Sequence, residues 1–268
     1  MNRSRFGELE VLACAPEGEA HPVPLLFVHG AYTAAWCWQE HFMPWFAKAG
    51  FSSYAVSLSG HGQSRQRSQL DSYSISDYVN DLAEVVTALP VTPALIGHSM
   101  GGMVVQKYLE QADAPAAVLM ASVPPQGLWS SAVGLMFRKP ALLADLNQLL
   151  EGGLANASTL HDALFHKPVP PDDMRRYLRA SQPESHRAIW DMTLFNLPMR
   201  SRMAPTPLLV LGAEHDQLIP PGEVRSTGSS YGVEVEIFDD MGHAMMLEDG
   251  WEPVAERIRD WLQENLAD

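Results

Sequence analysis

Gly97-His98-Ser99-Met100-Gly101 is the stretch on which the reading of this chain turns. An apolar run, Ala94-Leu95-Ile96, leads into it, and a helix-compatible run, Met103 to Glu110, leads out. Strand, G-x-S-x-G, helix is the context in which the pattern forms a sharp turn with the serine hydroxyl on its exposed side. Flanking glycines allow the backbone to turn that tightly. The five residues alone are a weak signal, so the weight falls on what surrounds them.

Working outward, Leu25 to Val28 is an apolar run opened by Pro24 and closed by His29-Gly30, which predicts a buried strand. Trp36 to Ala49 predicts a helix ended by Gly50, and Phe51 to Leu58 a strand stopped by Ser59-Gly60-His61-Gly62. From Ser74 the residues Ile75, Tyr78, Val79, Leu82, Val85, Val86 and Leu89 share one helical face, with Ser74 or Ser76 as cap and Pro90 as the stop. Beyond the central motif lie strand runs at Ala116–Ala121, Leu208–Leu211 and Val233–Phe238, then a closing helix from about Pro253. Alternation of this kind implies an α/β protein, a mostly parallel sheet flanked by helices.

One interval interrupts the alternation. Between Pro124-Pro125 and Pro205-Thr206-Pro207 there are helical patterns and no convincing strand: Leu142, Leu146, Leu149 and Leu150; Met174, Tyr177 and Leu178; Ile189, Met192 and Phe195. The expected organisation is a core domain over residues 1–123 and 205–268, with residues 124–204 as a helical cap inserted before the late strands. Charge divides along the same line. Residues 124–204 hold nine Lys and Arg against seven Asp and Glu, while the remainder holds nine against twenty-five. The cap's cations, including Arg138-Lys139, Arg175-Arg176 and Arg179, either lie on solvated helix faces or pair with the acidic core domain, which is the favoured reading, or steer an anionic substrate.

With 268 residues, 46% of them hydrophobic, the chain can bury one sizeable core. A formal charge of −14 and a pI near 5.0 argue against nucleic acid or an anionic membrane as partner. Cys14 and Cys37 have no metal or redox spacing and read as idle thiols. Glu8 and Glu10 interrupt any apolar signal segment after Arg3 and Arg5, and no stretch is long and apolar enough to span a bilayer. The expectation is a cytoplasmic protein acting on a small molecule.

A serine nucleophile needs a base, and the base an orienting acid. Asp216 follows the run Leu208–Leu211, and His243 follows the run Val233–Phe238. In an open parallel sheet such loops share one edge, so residues far apart in sequence can converge there. Glu214 and the pair Asp239/Asp240 are rivals to Asp216, which is favoured by its spacing after a strand. His29 and His61 read as structural, His98 as a variable position inside the turn, and the remaining histidines (21, 41, 161, 166, 186 and 215) show no metal spacing. Trp36, Trp38, Trp45, Met100, Met103, Trp129, Met136, Phe137, Trp190, Met192 and Phe195 read as core more than as pocket.

Together these motifs resemble the α/β-hydrolase fold superfamily over nearly the whole chain. His29-Gly30-Ala31 is similar to its oxyanion loop, Ser59-Gly60-His61-Gly62-Gln63-Ser64 to its G-H-G-x-S loop, and Gly97–Gly101 to its nucleophile elbow. The resemblance implies Ser99 as nucleophile, His243 as base and then acid, and Asp216 as its orienter. It assigns the oxyanion to the backbone N–H groups of Ala31 and Met100, with Tyr32 as the competing donor. A local likeness to the plant-type esterase and hydroxynitrile-lyase branch lies in His29-Gly30-Ala31 and Trp36-Cys37-Trp38. The implied reaction is hydrolysis of a carboxylic ester of a small to medium apolar substrate through an acyl-enzyme, with no metal and no cofactor. Thioesters, lactones, amides, C–C bonds and hydroxynitriles are handled by the same parts, and a slow-turnover ligand-binding receptor is the alternative of another kind.

Overall fold

The computed structural model describes residues 1–65, 67–150 and 157–266; the side chains of Phe137, Arg138 and Leu149 lie outside the described residues. In chain order the elements are β1 (Asn2–Phe6), β2 (Leu9–Cys14), β3 (Leu25–Val28), α1 (Trp36–Gln39), α2 (Phe42–Lys48), β4 (Ser53–Val56), α3 (Ile75–Ala88), β5 (Ala94–His98), α4 (Met100–Tyr108) and β6 (Ala117–Met120). Then come α5 (Trp129–Arg138), α6 (Pro140–Leu150), α7 (Ala157–Leu164), α8 (Pro171–Ala180), α9 (His186–Trp190), a π-helical turn at Asp191–Phe195, β7 (Leu208–Ala213), α10 (Pro221–Tyr231), β8 (Val235–Phe238) and α11 (Glu252–Asn265). One eight-stranded sheet runs in the order β1-β2-β4-β3-β5-β6-β7-β8. Only the β1–β2 and β2–β4 pairs are antiparallel.

β3 lies inside the sheet between β4 and β5, and all four of its residues are buried. Its side chains alternate between two apolar layers. Leu25 and Phe27 join one built around Trp38, Phe42 and Phe46, while Leu26 and Val28 join another built around α3 and α4. A strand covered on both faces is apolar throughout for this reason. α3 begins as its sequence predicts: Ser74 Oγ accepts from the Asp77 N–H at 3.2 Å, and the Asp77 carboxylate accepts from the Ser74 N–H at 2.8 Å.

One expectation needs correcting, and two elements carry no signal in the sequence pattern. The helix predicted over Trp36–Ala49 is two, α1 and α2, broken at Glu40-His41. Pro44 is the cause, because a proline has no N–H and its ring clashes with the carbonyl four residues back, here that of Glu40. The N-terminal hairpin was invisible in the pattern: β1 is mostly exposed and carries Arg3 and Arg5, and its turn relies on Gly7 at φ 55°. α10 was missed because Gly222, Ser226, Gly228, Ser229 and Ser230 are poor helix formers. Packing makes that helix instead, since the absence of a Cβ at Gly228 lets it lie against Val235.

The residues between β6 and β7 form the helices α5–α9, and no described strand lies among them. No helix among the described residues is long and apolar enough to cross a membrane. Trp38, Met100 and Met103 are core, as expected. Trp129, Met136, Trp190 and Phe195 instead stand exposed on the inserted helices.

α4 packs so closely under the sheet that a Cβ on Gly101 would collide with the carbonyl oxygens of Val28 and His29. Backbone cannot give way there as a flexible side chain would. Gly101→Ala is expected to lose stability by roughly 1–3 kcal/mol, the usual range for overpacking. Urea denaturation of the variant measures it, and an unchanged midpoint would contradict the packing described.

Candidate active site

Ser99 joins β5 to α4 with φ 53° and ψ −118°, a conformation costly for any residue with a Cβ. Its backbone is held from several directions. The Ser99 N–H donates to Met120 O at 3.0 Å, and the Ser99 carbonyl accepts from Gly102 at 3.0 Å and Val123 at 3.1 Å. Gly97 is required across the turn, since a Cβ there would lie 2.5 Å from the Gly101 carbonyl oxygen. Tied in this way, the serine projects its side chain rather than burying it.

Asp216 and His243 converge at the same sheet edge. His243 Nδ1–H donates to Asp216 Oδ2 at 2.7 Å, and both residues are buried. The other carboxylate oxygen accepts from the N–H groups of Leu218 and Ile219, each at 2.8 Å. Held by three bonds, the carboxylate fixes the imidazole's tautomer and leaves Nε2 as the free nitrogen. Of the rival acids, Glu214 is turned toward His215, at 3.4 Å, and Asp240 toward His166, at 3.9 Å.

Ser99 and His243 line one cavity of about 250 Å³, together with Gly30, Ala31 and Tyr32. Met100 N–H is one of the orphan donors at the start of α4. Among the described residues neither it nor the Ala31 N–H has a protein acceptor. Tyr32, at φ 64°, turns its carbonyl to accept from the Gln182 N–H at 3.0 Å, so the inserted helices hold the loop's shape. The rest of the wall is largely apolar, with Trp36, Leu146, Leu164, Met174, Ile189 and Met192 among its residues. It contains no Asp, Glu, Lys or Arg among the described residues.

Several positioning groups were not legible in the sequence. His98 Nε2–H donates to the His243 carbonyl at 2.9 Å, pinning the backbone of the loop opposite. Burial first, and His243 beside it second, hold the His98 pKa well below the ordinary range, so the ring stays neutral. Glu248 is fully buried and its carboxylate accepts from the N–H groups of His166, Lys167 and Gly242, all at 2.5 Å. That carboxylate stitches the His243 loop to the inserted segment.

A second buried knot lies beside the His29-Gly30-Ala31 loop. His61 Nε2–H donates to Glu184 at 3.0 Å, Nδ1–H donates to the Ser59 carbonyl at 3.0 Å, and Tyr78 OH donates to Glu184 at 2.7 Å. Both ring nitrogens donate, as in an imidazolium. Burial opposes that charge, but the Glu184 carboxylate outweighs it and raises the His61 pKa; His61 in turn lowers that of Glu184. His29 differs, with Nδ1–H donating to Gly30 O at 2.8 Å and Nε2 accepting from the Leu58 N–H at 3.1 Å. Burial, and then the His61 charge, push its pKa down to about 3.

The chain belongs to the alpha/beta hydrolase family, whose model matches residues 25–257. An uncharacterized carboxylesterase, nap, of Bacillus subtilis (strain 168) is 25% identical over 252 residues, 91% of this chain and 80% of that one. A non-heme chloroperoxidase of Burkholderia pyrrocinia is 35% identical over 108 residues, only 38% of either chain. Plant methylesterases match a similarly short stretch, 30% of the chain for one from Arabidopsis thaliana, so that likeness stays local. Among solved structures, an esterase from Exiguobacterium antarcticum superposes with a TM-score of 0.75 at 20% identity, covering 95% of each chain, and shares the fold.

Two of the buried histidines, His29 and His98, make the fold less stable toward acid. Unfolded, His29 takes up a proton near pH 6.5; folded, it does not until about 3. Between those values the unfolded chain binds more protons, so stability falls as pH falls, and His98 acts in the same direction. His61 works oppositely, its contribution present below 6.5 and fading as pH rises through its raised folded value. Urea melts from pH 6.5 down to pH 4 are expected to show a steeper stability loss in the wild type than in His29→Gln. The difference should approach about 1.4 kcal/mol per pH unit, the value for one linked proton. Identical slopes would mean that His29 is not held neutral.

Proposed function

We propose that this protein is a serine hydrolase that cleaves carboxylic esters of small to medium, uncharged and largely apolar substrates. One observation carries the reading: the Asp216–His243 pair and the strained Ser99 meet at a cavity with no Asp, Glu, Lys or Arg in its wall among the described residues. The carboxylesterase relative supports the choice of ester over other acyl bonds.

In this reading His243 Nε2 takes the proton of Ser99 as Oγ attacks the ester carbonyl carbon. The tetrahedral oxyanion forms against the N–H groups of Ala31 and Met100, each such donor contributing about 3–4 kcal/mol to lowering the barrier. Collapse expels the alcohol, which receives the proton from His243. A water molecule, deprotonated by His243, then attacks the acyl-enzyme carbonyl carbon; collapse breaks the bond to Ser99 Oγ, which takes the proton back from His243, and releases the carboxylic acid. Asp216 stays ionised throughout and stabilises the imidazolium that forms in each half. No metal and no organic cofactor takes part.

Residues 124–204 serve as a cap over the cavity, supplying apolar wall from Leu146, Met174, Ile189 and Met192. Arg175, Arg176 and Arg179 of this segment do not favour steering. Arg175 pairs with Asp172, Arg176 pairs with Glu40 and Asp173, and all three of Arg175, Arg176 and Arg179 are exposed.

Ser99→Ala should retain the fold and keep less than about 1% of the wild-type rate on a p-nitrophenyl ester. A fluorophosphonate probe should label the wild type at Ser99 and leave the variant untouched. Asp216→Asn should lower kcat by roughly 10³- to 10⁴-fold through the wrong tautomer of His243, whereas Glu214→Gln should cost little. Reversal of those two effects would move the acid to Glu214. For a neutral and an anionic ester, kcat/KM should respond alike to salt between low and physiological strength; a selective fall for the anion would restore steering.

A further inference from the structure

We propose that His166, His215 and Asp240 form a surface site for a divalent transition-metal ion, with zinc as the probe. The three come from separate loops: one after α7, one after β7 and one after β8. One ligand atom from each lies within 4.8 Å of the others. The two imidazoles face each other with centroids 3.7 Å apart and planes 13° apart, and Asp240 Oδ1 is 3.9 Å from His166 Nε2. Nothing in sequence spacing announces such a group, because the residues meet only through the fold.

The donor set selects the ion. Two imidazoles and one carboxylate suit zinc and its neighbours, whereas calcium and magnesium call for oxygen donors. Tetrahedral zinc with bonds of about 2.0–2.1 Å places its ligand atoms roughly 3.3 Å apart. Because an ion lies in the plane of each imidazole that ligates it, one of the two exposed rings turns out of the stack when the ion binds. Glu214 is at hand as well: its carboxylate lies 3.4 Å from His215 Nε2 and accepts from the Asp240 N–H at 3.4 Å.

The backbone beneath the three side chains is already fixed. Glu248 binds the N–H groups of His166 and Gly242, the His215 N–H donates to Met241 O at 2.9 Å, and the Ala244 N–H donates to Leu164 O at 2.8 Å. Asp240 holds a left-handed φ of 51°, which fixes where its side chain starts. A ligand set mounted on prearranged backbone loses little conformational freedom when the ion binds. His215 adjoins Asp216, and Asp240 lies three residues before His243. An ion at this position would therefore tie the loops of the acid and the base to the inserted segment.

Isothermal titration of zinc into the chelator-treated, full-length protein tests the site. One ion per chain should bind saturably, with Kd weakened at least ten-fold in each of His166→Ala, His215→Ala and Asp240→Asn, and magnesium should give no comparable binding. Asn tolerates the left-handed backbone at position 240, so that variant removes the charge alone. Saturating zinc should also raise Tm by several degrees in the wild type and not in the histidine variants. A measurement free of variants is carbethoxylation mapped by mass spectrometry, in which zinc should protect His166 and His215. Absence of one-to-one binding, undiminished affinity in the His166→Ala/His215→Ala double variant, or no protection of either histidine would overturn the proposal.

Discussion

The strained backbone of Ser99 is the constraint on which the rest of this architecture depends. A non-glycine residue at φ 53° is tolerated only where its surroundings fix the backbone on every side. Here they do so with main-chain hydrogen bonds to β6 and the segment after it, and with three glycines that let α4 lie almost in contact with β3 and β5. Replacing the tight junction by a relaxed loop would let α4 move away from the sheet. Met100, which opens α4, would move with it. Local strain and global packing are thus the same fact viewed at two scales.

Much of the fold was legible because it obeys local rules. The inner strands are continuous apolar runs punctuated by proline and glycine, and α3 carries both its amphipathic face and its capping box in plain sight. What escaped was decided by tertiary contact. β1 pairs at the sheet's edge with only its backbone to recommend it, and α10 is a helix of poor formers held by what lies above and below. The break between α1 and α2 is present in the sequence as Pro44, masked by the apolar run around it.

At the candidate site, the residues proposed to carry the chemistry stood out by their place after strands. The residues that position them did not. His98 lies inside the motif yet acts through the main chain of His243, and Glu248 lies beyond the last strand yet collects three backbone donors from two segments. Neither role leaves a periodicity or a spacing, because a carboxylate or imidazole that satisfies backbone groups needs only to be buried near them. Such residues become visible once every buried polar group is asked where its hydrogen bonds go.

The His61–Glu184–Tyr78 knot has a consequence for how the inserted segment is held. Glu184 is rooted in the inserted segment and His61 in the loop after β4, with Gln182 adding bonds to Gly60 O and the Gly62 N–H. Lifting the whole insertion away would break this buried contact between the Glu184 carboxylate and the His61 ring. Glu248 imposes a second tether at His166 and Lys167. α5, by contrast, is fastened to α10 by exposed bonds from Gln126 and Ser130 to Glu223, which water can replace at little cost. Among the described residues the later half of the insertion is therefore anchored to the sheet loops by buried carboxylates, while its bonds to α10 at the start lie in solvent.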